Sequence, residues 1–251
     1  MVIKRLIPCL LYDGKYLVKT VNFNGPKYIG DPINAIKIFN EKEVDELIFL
    51  DINATRQKRS PNISIISQFT SECFMPFAYG GGVASFQDCQ QLFKAGVEKV
   101  IINSLLFQAP EVVRKVVDVY GSQAVVASID VKKDFFGRYR VFSHSGIRNK
   151  MDLASLLNFV QADLKVGEIM LTAVHREGTW NGYDFDLYSN VHKSIQVPLI
   201  ASGGAGSAED VKKVLYEMNA DAAAIGSMAV YQRKGMGVLI NFPSRESIIN
   251  E

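Results

Sequence analysis

The sequence predicts a single α/β domain, a (βα)8 or TIM barrel built from two half-barrel repeats. Short apolar segments alternate with amphipathic segments along all 251 residues, which is typical of a parallel sheet covered by helices. Eight such apolar segments occur, and a closed eight-stranded barrel of about 250 residues folds as one domain. One pattern of strand, glycine loop and helix also occurs twice, half a chain apart.

The apolar segments give the predicted strands 4–11, 46–52, 76–79, 99–103, 124–130, 168–172, 198–201 and 222–225. Helices are predicted between them, among them 32–39, 110–120 and 208–218. Pro32 suits the first turn of its helix, because its missing N–H has no partner there in any case.

Three segments interrupt the alternation. Residues 13–31 are predicted to form a long polar loop after the first strand, and residues 131–143 a hairpin inserted after the fifth. Both lie at the carboxyl ends of strands, where such barrels place their chemistry. The tail 231–251 is predicted to be atypical, with a short eighth helix and an extended or irregular segment after it.

The duplicated pattern predicts two anion sites. The loops are Gly80-Gly81-Gly82 and Ser202-Gly203-Gly204, and the strands that follow end in Asn103-Ser104 and Gly226-Ser227. Glycines let backbone N–H groups approach an anion closely. Either loop alone could be a tight turn, but the duplication favours a phosphorylated small molecule with a phosphate at each end. The half-barrels are expected at about 1–120 and 121–230.

Composition excludes several classes of protein. A net charge of +2 without a basic run gives no case for nucleic acid binding. The cysteines, Cys9, Cys73 and Cys89, lack metal-ligand spacing, and Cys9 and Cys73 lie in apolar strand contexts, so we expect buried thiols, no metal and no cofactor. The apolar run at the N-terminus is too short for a signal peptide or a membrane span, and we expect a cytoplasmic protein.

Four side chains near the predicted mouth are candidates for chemistry. Asp130 and Asp51 each close an apolar strand, where an unpaired carboxylate is costly and usually has a role. For Asp130 the alternative is a structural hydrogen bond to the inserted hairpin. Lys19 could cap a phosphate or be a solvated surface lysine. His175 could act as an acid–base group, but a histidine in a polar loop is more often simply exposed.

Charged residues begin four strands at the opposite end, Arg5, Glu46, Lys99 and Glu168. Such residues are usually solvated. Two positive and two negative groups can instead pair into a ring over the barrel floor, as a plug or a gate.

The sequence resembles the cyclase subunit of imidazole glycerol phosphate synthase (HisF) over nearly its full length. The matching stretches include Lys4-Arg5, Gly30-Asp31-Pro32, Phe49-Leu50-Asp51-Ile52, Gly80-Gly81-Gly82, Gly178-Thr179 and Ala201-Ser202-Gly203-Gly204-Ala205-Gly206. The resemblance implies a barrel that binds a two-phosphate ligand and takes ammonia from a HisH-type glutaminase docked on the floor. It implies that Asp130 is the catalytic acid–base, and that Asp51, Glu177 and Gly178 lie in the substrate site. It also implies an ammonia gate at the four floor charges and a partner-facing acid at Glu98.

Two departures from the family pattern are informative. Leu11 stands where the family has its first catalytic aspartate, and Asp13, nearby in a turn, is expected to point elsewhere. Glu177 replaces the aspartate of the family's Asp-Gly-Thr. Together with the altered tail, these changes resemble a divergent branch that works with a glutaminase and a separate amidotransferase to make acetamidino sugars of surface polysaccharides.

Three functions follow. The first is a HisF-like, lyase- or cyclase-type subunit that handles ammonia for acetamidino-sugar synthesis. The second is a genuine imidazole glycerol phosphate synthase subunit in histidine biosynthesis, which Leu11 opposes because ring closure needs two proton-transfer groups. The third is a non-catalytic scaffold that conducts ammonia.

Overall fold

A computed structural model describes residues 4–142, 151–243 and 248. The structure does not describe residues 1–3, 143–150, 244–247 and 249–251. These include Ser143, which closes the predicted hairpin segment, and most of the tail after residue 243. Within them the strands are β1 (Arg5–Tyr12), β2 (Leu17–Val21), β3 (Asn24–Gly30), β4 (Leu47–Asp51), β5 (Phe77–Gly80), β6 (Lys99–Ile102), β7 (Val125–Lys133), β8 (Tyr139–Phe142), β9 (Glu168–Ala173), β10 (Leu199–Ser202) and β11 (Ala222–Ile225).

The helices of the described residues alternate with the barrel strands. They are α1 (Pro32–Glu41), α2 (Ile63–Glu72), α3 (Phe86–Lys94), α4 (Leu105–Gln108), α5 (Pro110–Tyr120), α6 (Leu153–Asn158), α7 (Phe185–Val191), α8 (Ala208–Lys212) and α9 (Ser227–Val230). A π-helical turn extends α6 through Phe159–Asp163, and another extends α8 through Lys213–Glu217. The predicted helix 208–218 is therefore present, but its second half is wound more loosely than an α-helix.

Eight parallel strands close into a barrel in the order β1, β4, β5, β6, β7, β9, β10 and β11. Closure comes from the parallel pairing of β1 with β11, in which Arg5 lies opposite Ala222 and Pro8 opposite Ile225. The fold is thus the predicted (βα)8 barrel. Its division into two half-barrel repeats stays a prediction.

Side chains of alternate residues fill the barrel axis. Along β1 the inward side carries Arg5, Ile7, Cys9 and Leu11, in order from the floor to the mouth. Between floor and mouth the axis is apolar, with a buried cluster of Ile7, Cys9, Ile48, Ala78, Ile101, Val126, Met170, Ile200, Ala222 and Ala224. A larger cluster, between strands and helices, forms the main core.

The prediction of a polar loop at residues 13–31 was wrong. The segment forms an antiparallel hairpin of β2 and β3, and β2 pairs with the end of β1. Leu17 and Val18 are buried against the barrel, because β-branched and aliphatic residues in this run cover the mouth end of β1. Lys19 is carried inward on the same strand.

The other two irregular segments agree with expectation. The predicted hairpin after the fifth barrel strand is formed by β7, which continues beyond the barrel, and β8, with Val131 opposite Val141. The described part of the tail after α9, residues 231–243, is irregular apart from a bridge between Tyr231 and Val238. One detail of the cysteines differs from the prediction, because Cys73 is half-buried at the end of α2 rather than in a strand.

Candidate functional site

A cavity of about 270 Å³ opens at the carboxyl ends of the barrel strands, and we call it the mouth. Thirteen residues predicted from the sequence line it together, namely Lys19, Asp51, Gly81, Gly82, Asn103, Ser104, Asp130, Glu177, Gly178, Gly203, Gly204, Gly226 and Ser227. A volume of this size suits a small molecule rather than a macromolecule.

The first glycine loop has a backbone that only glycine adopts easily. Gly81 and Gly82 have φ angles of +115° and +71°. A Cβ on Gly81 would lie 2.3 Å from the carbonyl oxygen of Asp51, and one on Gly82 would lie 2.4 Å from that of Arg59. The Gly82 N–H donates to the Thr55 hydroxyl at 3.4 Å. We call Gly81, Gly82, Asn103 and Ser104 the first cradle.

The second glycine loop repeats this geometry. Gly203 and Gly204 have φ angles of +93° and +109°, and a Cβ on Gly204 would lie 2.2 Å from the carbonyl oxygen of Gly182. The helices after the two loops are also capped alike, because Ser85 and Ser207 accept from the N–H groups of Asp88 and Asp210. We call Gly203, Gly204, Gly226 and Ser227 the second cradle.

Asp130 ends the barrel portion of β7 and reaches the mouth. Its Oδ2 accepts a hydrogen bond from the side-chain amide of Asn103 at 3.0 Å, so the Asn103 side chain is directed to the carboxyl group. In the described part of the hairpin, Phe142 is the strand partner of Asp130. Burial raises the pKa of the Asp130 carboxyl from 3.8 to about 7, against the lowering effect of the Asn103 hydrogen bond. A carboxyl with this pKa can both take and give a proton near neutral pH.

Asp51 is buried at the end of β4 and is already paired. Its oxygens accept from the guanidinium of Arg59 at 3.1 and 3.2 Å. They also accept from the N–H groups of Asn53 and Ala54 at 3.1 and 3.0 Å. Asp51 therefore holds the loop that follows β4 in place. Its charge is neutralised by Arg59, a residue that nothing in the sequence pattern singles out.

Lys19 and Glu177 form a buried ion pair across the mouth. Both side chains are 8 % exposed, which excludes the alternative of a solvated surface lysine. Glu177 also accepts from the Thr20 hydroxyl at 3.1 Å and from the Phe23 N–H at 3.0 Å. Gly178 beside it has φ +72°, and a Cβ there would lie 2.2 Å from the Thr20 carbonyl oxygen. The pair thus joins the β2–β3 hairpin to the loop after β9.

Leu11 lines the mouth at the end of β1, so the position that could hold a second free carboxyl group is apolar. Asp13 points away, because its Oδ1 accepts from the N–H groups of Lys15 and Tyr16 in the turn. Cys9 lies deeper, and burial raises the pKa of its thiol to about 12, which keeps it protonated and unreactive. Asp130 remains the one mouth carboxyl group without a cationic partner among the described residues.

His175 does not line the mouth. Its Nε2 lies 2.7 Å from Oδ2 of Asp184, and the side chain is 22 % exposed, so the expectation of a simply exposed histidine was wrong. Asp184 also accepts from the Tyr139 hydroxyl at 2.9 Å and caps α7. The group ties the loop after β9 to the β7–β8 hairpin.

At the opposite end the four predicted charges form a closed ring of ion pairs, which we call the floor ring. Arg5 pairs with Glu46 at 2.5 Å and also with Glu168. Lys99 pairs with the same two carboxylates at 2.9 and 3.0 Å. Glu46 and Glu168 are only 2 % and 5 % exposed, so the alternative of separately solvated charges does not apply. Burial lowers the pKa of Arg5, but the two carboxylates outweigh it and the pKa lies above its usual value.

The outer surface of the floor carries an exposed acid and an exposed aromatic residue. Glu98 is exposed just before β6, and its N–H donates to the Phe77 carbonyl oxygen at 2.9 Å. Phe74, just before β5, is 85 % exposed. Sequence reasoning missed Phe74 because it lies in the apolar run Cys73-Phe74-Met75, which reads as the approach to a buried strand.

Within the part of the chain that the structure describes, no helix is long and apolar enough to cross a membrane.

Comparison with known proteins assigns the family. A family model described as histidine biosynthesis protein matches residues 5–235. The chain belongs to this family. Within the histidine biosynthesis protein family it is of the HisF type. It is 46 % identical over 245 residues to a Pseudomonas aeruginosa protein provisionally named imidazole glycerol phosphate synthase subunit hisF2, covering 97 % of each chain.

Two further relatives agree. A Vibrio vulnificus protein, provisionally named subunit hisF3 of the same synthase, is 40 % identical over 246 residues, with 97 % of this chain and 94 % of the relative covered. The imidazole glycerol phosphate synthase subunit HisF of Alkaliphilus metalliredigens is 38 % identical over 233 residues, with 92 % of each chain covered. The predicted resemblance to a HisF family is confirmed.

Proposed function

We propose that this chain is the barrel subunit of a glutamine amidotransferase assembly. It receives ammonia through its floor from a HisH-type glutaminase and binds a phosphorylated ligand at its mouth. The observation that carries the proposal is the floor ring. Two buried carboxylates and two half-buried cations on the barrel axis are costly to assemble, and apolar side chains would close a purely structural floor without that cost.

The interior between the two ends fits a neutral passenger. Above the floor ring the axis is lined by apolar side chains, with Ala78, Ala222 and Ala224 among the smallest. Placing an ammonium ion among apolar side chains without a counter-ion is costly, whereas neutral ammonia loses only hydrogen bonds. The passage we propose therefore favours ammonia over ammonium. Ammonia can enter it only when the ion pairs of the floor ring separate.

The floor surface supports a protein partner. Glu98 offers a carboxylate to a basic residue of the glutaminase. Phe74, 85 % exposed and one strand away, offers an aromatic anchor of the kind that dominates interface energetics. Relatives of this chain are named as subunits of a synthase, which agrees with a partnered barrel.

The mouth is suited to binding a ligand and to proton transfer by a single group. Asp130 can exchange a proton, but Leu11 cannot, and Asp51 and Glu177 are paired with Arg59 and Lys19. A ring closure needs one group as general acid and another as general base, and the mouth supplies only one such group among the described residues. We place the chain in acetamidino-sugar synthesis for surface polysaccharides, where ammonia leaving the mouth is used by a separate amidotransferase.

The experiment is reconstitution with the glutaminase. Lys99→Ala breaks the floor ring on its cationic side, and we expect the chain to fold and to bind the glutaminase. The fraction of ammonia that escapes to bulk solvent, measured against the glutamate formed, should rise in this variant, because glutamine hydrolysis is uncoupled from ammonia delivery. Lys94→Ala is the matched control, because Lys94 is an exposed lysine at the end of α3 that lies outside the ring.

Glu98→Lys should weaken the complex by placing a like charge against the basic residue of the partner. If no complex forms with a glutaminase, or if Lys99→Ala and Lys94→Ala partition ammonia alike, the channel proposal is wrong. A phosphate-binding scaffold is then the better account.

A genuine cyclase subunit of histidine biosynthesis is the second candidate, and the two cradles with Asp130 support it. Expression in a histidine auxotroph that lacks its cyclase subunit separates the candidates. Growth without histidine would favour the second and contradict the sugar pathway as the main role.

A further inference from the structure

Two hairpins leave the rim of the mouth on opposite sides of the barrel. The β2–β3 hairpin follows β1, and the β7–β8 hairpin continues β7 beyond the barrel. In the closed order of the barrel strands, β7 is the fourth strand from β1 in either direction. The hairpins meet at Phe23 and Phe142, whose ring centroids are 6.4 Å apart. Phe23 also lines the mouth, so the joined hairpins border the opening.

Each hairpin presents a pair of exposed aromatic rings. Tyr16 and Tyr28 pack edge to face with their centroids 5.2 Å apart, and Phe135 and Phe136 do so at 5.6 Å. Phe135 and Phe136 are 97 % and 77 % exposed, and Tyr28 is 63 % exposed. Exposed apolar side chains that are grouped rather than scattered mark an interaction site. We call these four side chains the rim aromatics.

The same hairpins carry a surplus of positive charge. Lys15 lies over the Tyr16 ring at 4.9 Å, and Arg138 lies over the Phe136 ring at 5.0 Å. Apart from Lys19, which is paired with Glu177, the cations of residues 13–30 and 131–142 are Lys15, Lys27, Lys132, Lys133, Arg138 and Arg140, and the carboxylates are Asp13 and Asp134. Asp184 and Asp186 offset Lys133. The rim as a whole therefore stays positive, which suits an acidic partner surface.

The tip of the β7–β8 hairpin is held in shape by its own hydrogen bonds. Asp134 Oδ1 accepts from the N–H groups of Phe136 and Arg138 at 2.9 and 3.0 Å. Its Oδ2 accepts from the guanidinium groups of Arg138 and Arg140 at 3.0 and 3.2 Å. The two phenylalanine rings are therefore presented by a preorganised turn, and binding them costs little further ordering of the backbone.

We propose that the rim aromatics are the docking surface for a second protein, the amidotransferase that uses the ammonia leaving the mouth. That protein takes the aromatic rings into apolar pockets and faces the rim cations with carboxylates. Because the two anchoring pairs stand on opposite sides of the mouth, a partner that holds both covers the opening. Ammonia then passes from one protein to the other without entering bulk solvent. The glutaminase binds the opposite end of the barrel, so both partners can be bound at once.

A lipid surface is the alternative occupant of the rim. Stable peripheral binding to a membrane needs a polybasic patch in addition to inserted apolar groups. Here Arg138 and Arg140 are paired with Asp134, and Lys133 is offset by two carboxylates. The charge that is left is moderate and the anchors are spread over two hairpins, which favours a protein with matching pockets.

This inference rests on the proposed function, because it presumes that ammonia leaves at the mouth for a separate enzyme. It adds the place where that enzyme binds and the chemistry of the surface that it must present.

The test measures, by calorimetry, the affinity of the purified amidotransferase for the complex of this chain with its glutaminase. Phe135→Ser should weaken this binding about tenfold, the effect of losing one aromatic anchor. Tyr28→Ser, on the opposite hairpin, should do the same. Both side chains are exposed, so the variants should keep the fold. Val119→Ser, at an exposed apolar position of α5 outside both hairpins, is the matched control and should change nothing.

Phe74→Ala provides the converse control at the floor, where Phe74 is exposed. It should weaken binding of the glutaminase and leave binding of the amidotransferase unchanged, whereas Phe135→Ser should do the reverse. With all three proteins present, the share of glutamine-derived ammonia lost to bulk solvent should rise with Phe135→Ser and stay at the parent value with Val119→Ser.

Two further measurements identify the other occupants. Co-sedimentation with vesicles of phosphatidylcholine and phosphatidylglycerol tests a lipid surface, and sedimentation velocity of the chain alone tests a second copy of this chain. Vesicle binding or self-association that is lost in Phe135→Ser, while the affinity for the amidotransferase stays unchanged, overturns the inference.

The failures of the two proposals can be told apart. If the amidotransferase binds the parent chain, Phe135→Ser and Tyr28→Ser equally well, the inference is wrong and the proposed function stands. If the amidotransferase does not bind the complex at all, the inference is wrong and the separate ammonia acceptor is also removed from the proposed function. The ammonia passage itself is tested independently by Lys99→Ala.

Discussion

Replacing Asp130 by asparagine should change how the stability of the chain depends on pH. Burial raises the pKa of the Asp130 carboxyl from 3.8 to about 7. A carboxyl with a raised pKa keeps its proton in the folded chain at pH values where the unfolded chain has released it. The free energy of unfolding therefore falls as the pH rises through this interval, and it levels off above the folded-state pKa.

The size of the effect follows from the shift. One pKa unit corresponds to about 1.4 kcal/mol, so the interval from 3.8 to about 7 corresponds to ~4 kcal/mol. Because the carboxyl is partly exposed to the mouth, we expect about half, or ~2 kcal/mol. Asparagine has nearly the same shape and cannot ionise. The stability of Asp130→Asn relative to the parent chain should rise by ~2 kcal/mol between acid and neutral pH.

Urea unfolding at a series of pH values measures this difference directly. Asp118→Asn, at an exposed position on α5, is the matched control and should show no such trend. A difference between Asp130→Asn and the parent that stays constant within ~0.5 kcal/mol across the range would refute the reasoning. The carboxyl would then be solvated in the folded chain and poorly suited to proton transfer near neutral pH.

Three other outcomes are expected. Gly204→Ala should destabilise the chain by ~3 kcal/mol or more in urea unfolding, because its Cβ would lie 2.2 Å from the Gly182 carbonyl oxygen. Gly237→Ala, with nothing within 4 Å, should have little effect. Phe74→Ala should weaken the glutaminase complex about tenfold in calorimetry without lowering the melting temperature. With Leu11 in the mouth, ammonia-dependent ring closure on the histidine-pathway intermediate should stay well below about 1 per second, and a faster turnover would contradict the proposed role.

The barrel strands could be predicted because fully buried parallel strands are continuous apolar runs. The strand predicted at 222–225 coincides with β11, and the other barrel strands differ by a residue or a few at their ends. The largest difference is in β7, which continues to Lys133. Its last residues belong to a two-stranded ribbon outside the barrel, where polar side chains are tolerated and the apolar pattern ends.

The β2–β3 hairpin could not be predicted from the pattern of polar and apolar residues. Residues 13–31 contain many charged and polar side chains, and β3 is largely exposed. What makes the segment a hairpin is the antiparallel pairing of Leu17 and Val18 with the end of β1, a tertiary contact. A short apolar run between turn residues, Tyr16 to Val18, was the available signal.

The site residues could be selected because duplication and strand position are visible in the sequence. The ion-pair partners of these residues could not be selected from the sequence, because they depend on which distant segments the fold brings together. Lys19 and Glu177 meet across 158 residues, and Arg59 reaches Asp51 from a loop with no regular structure. Arg56 and Arg59 are close neighbours in the sequence, and only the fold distinguishes Arg59, which pairs with Asp51, from Arg56, which donates to Asn53 Oδ1.

The two ends of the barrel carry opposite arrangements of charge, and this contrast bears on function. At the floor every charge of the ring has two partners, so removing one cation leaves the two buried carboxylates to share a single partner, at a cost on the order of several kcal/mol. At the mouth two of three carboxylates are neutralised, and Leu11 adds none. A site built for two-sided acid–base catalysis would need a second carboxyl free to exchange a proton. The contrast therefore favours a barrel that admits ammonia and holds a ligand, with Asp130 as its single proton-exchanging group.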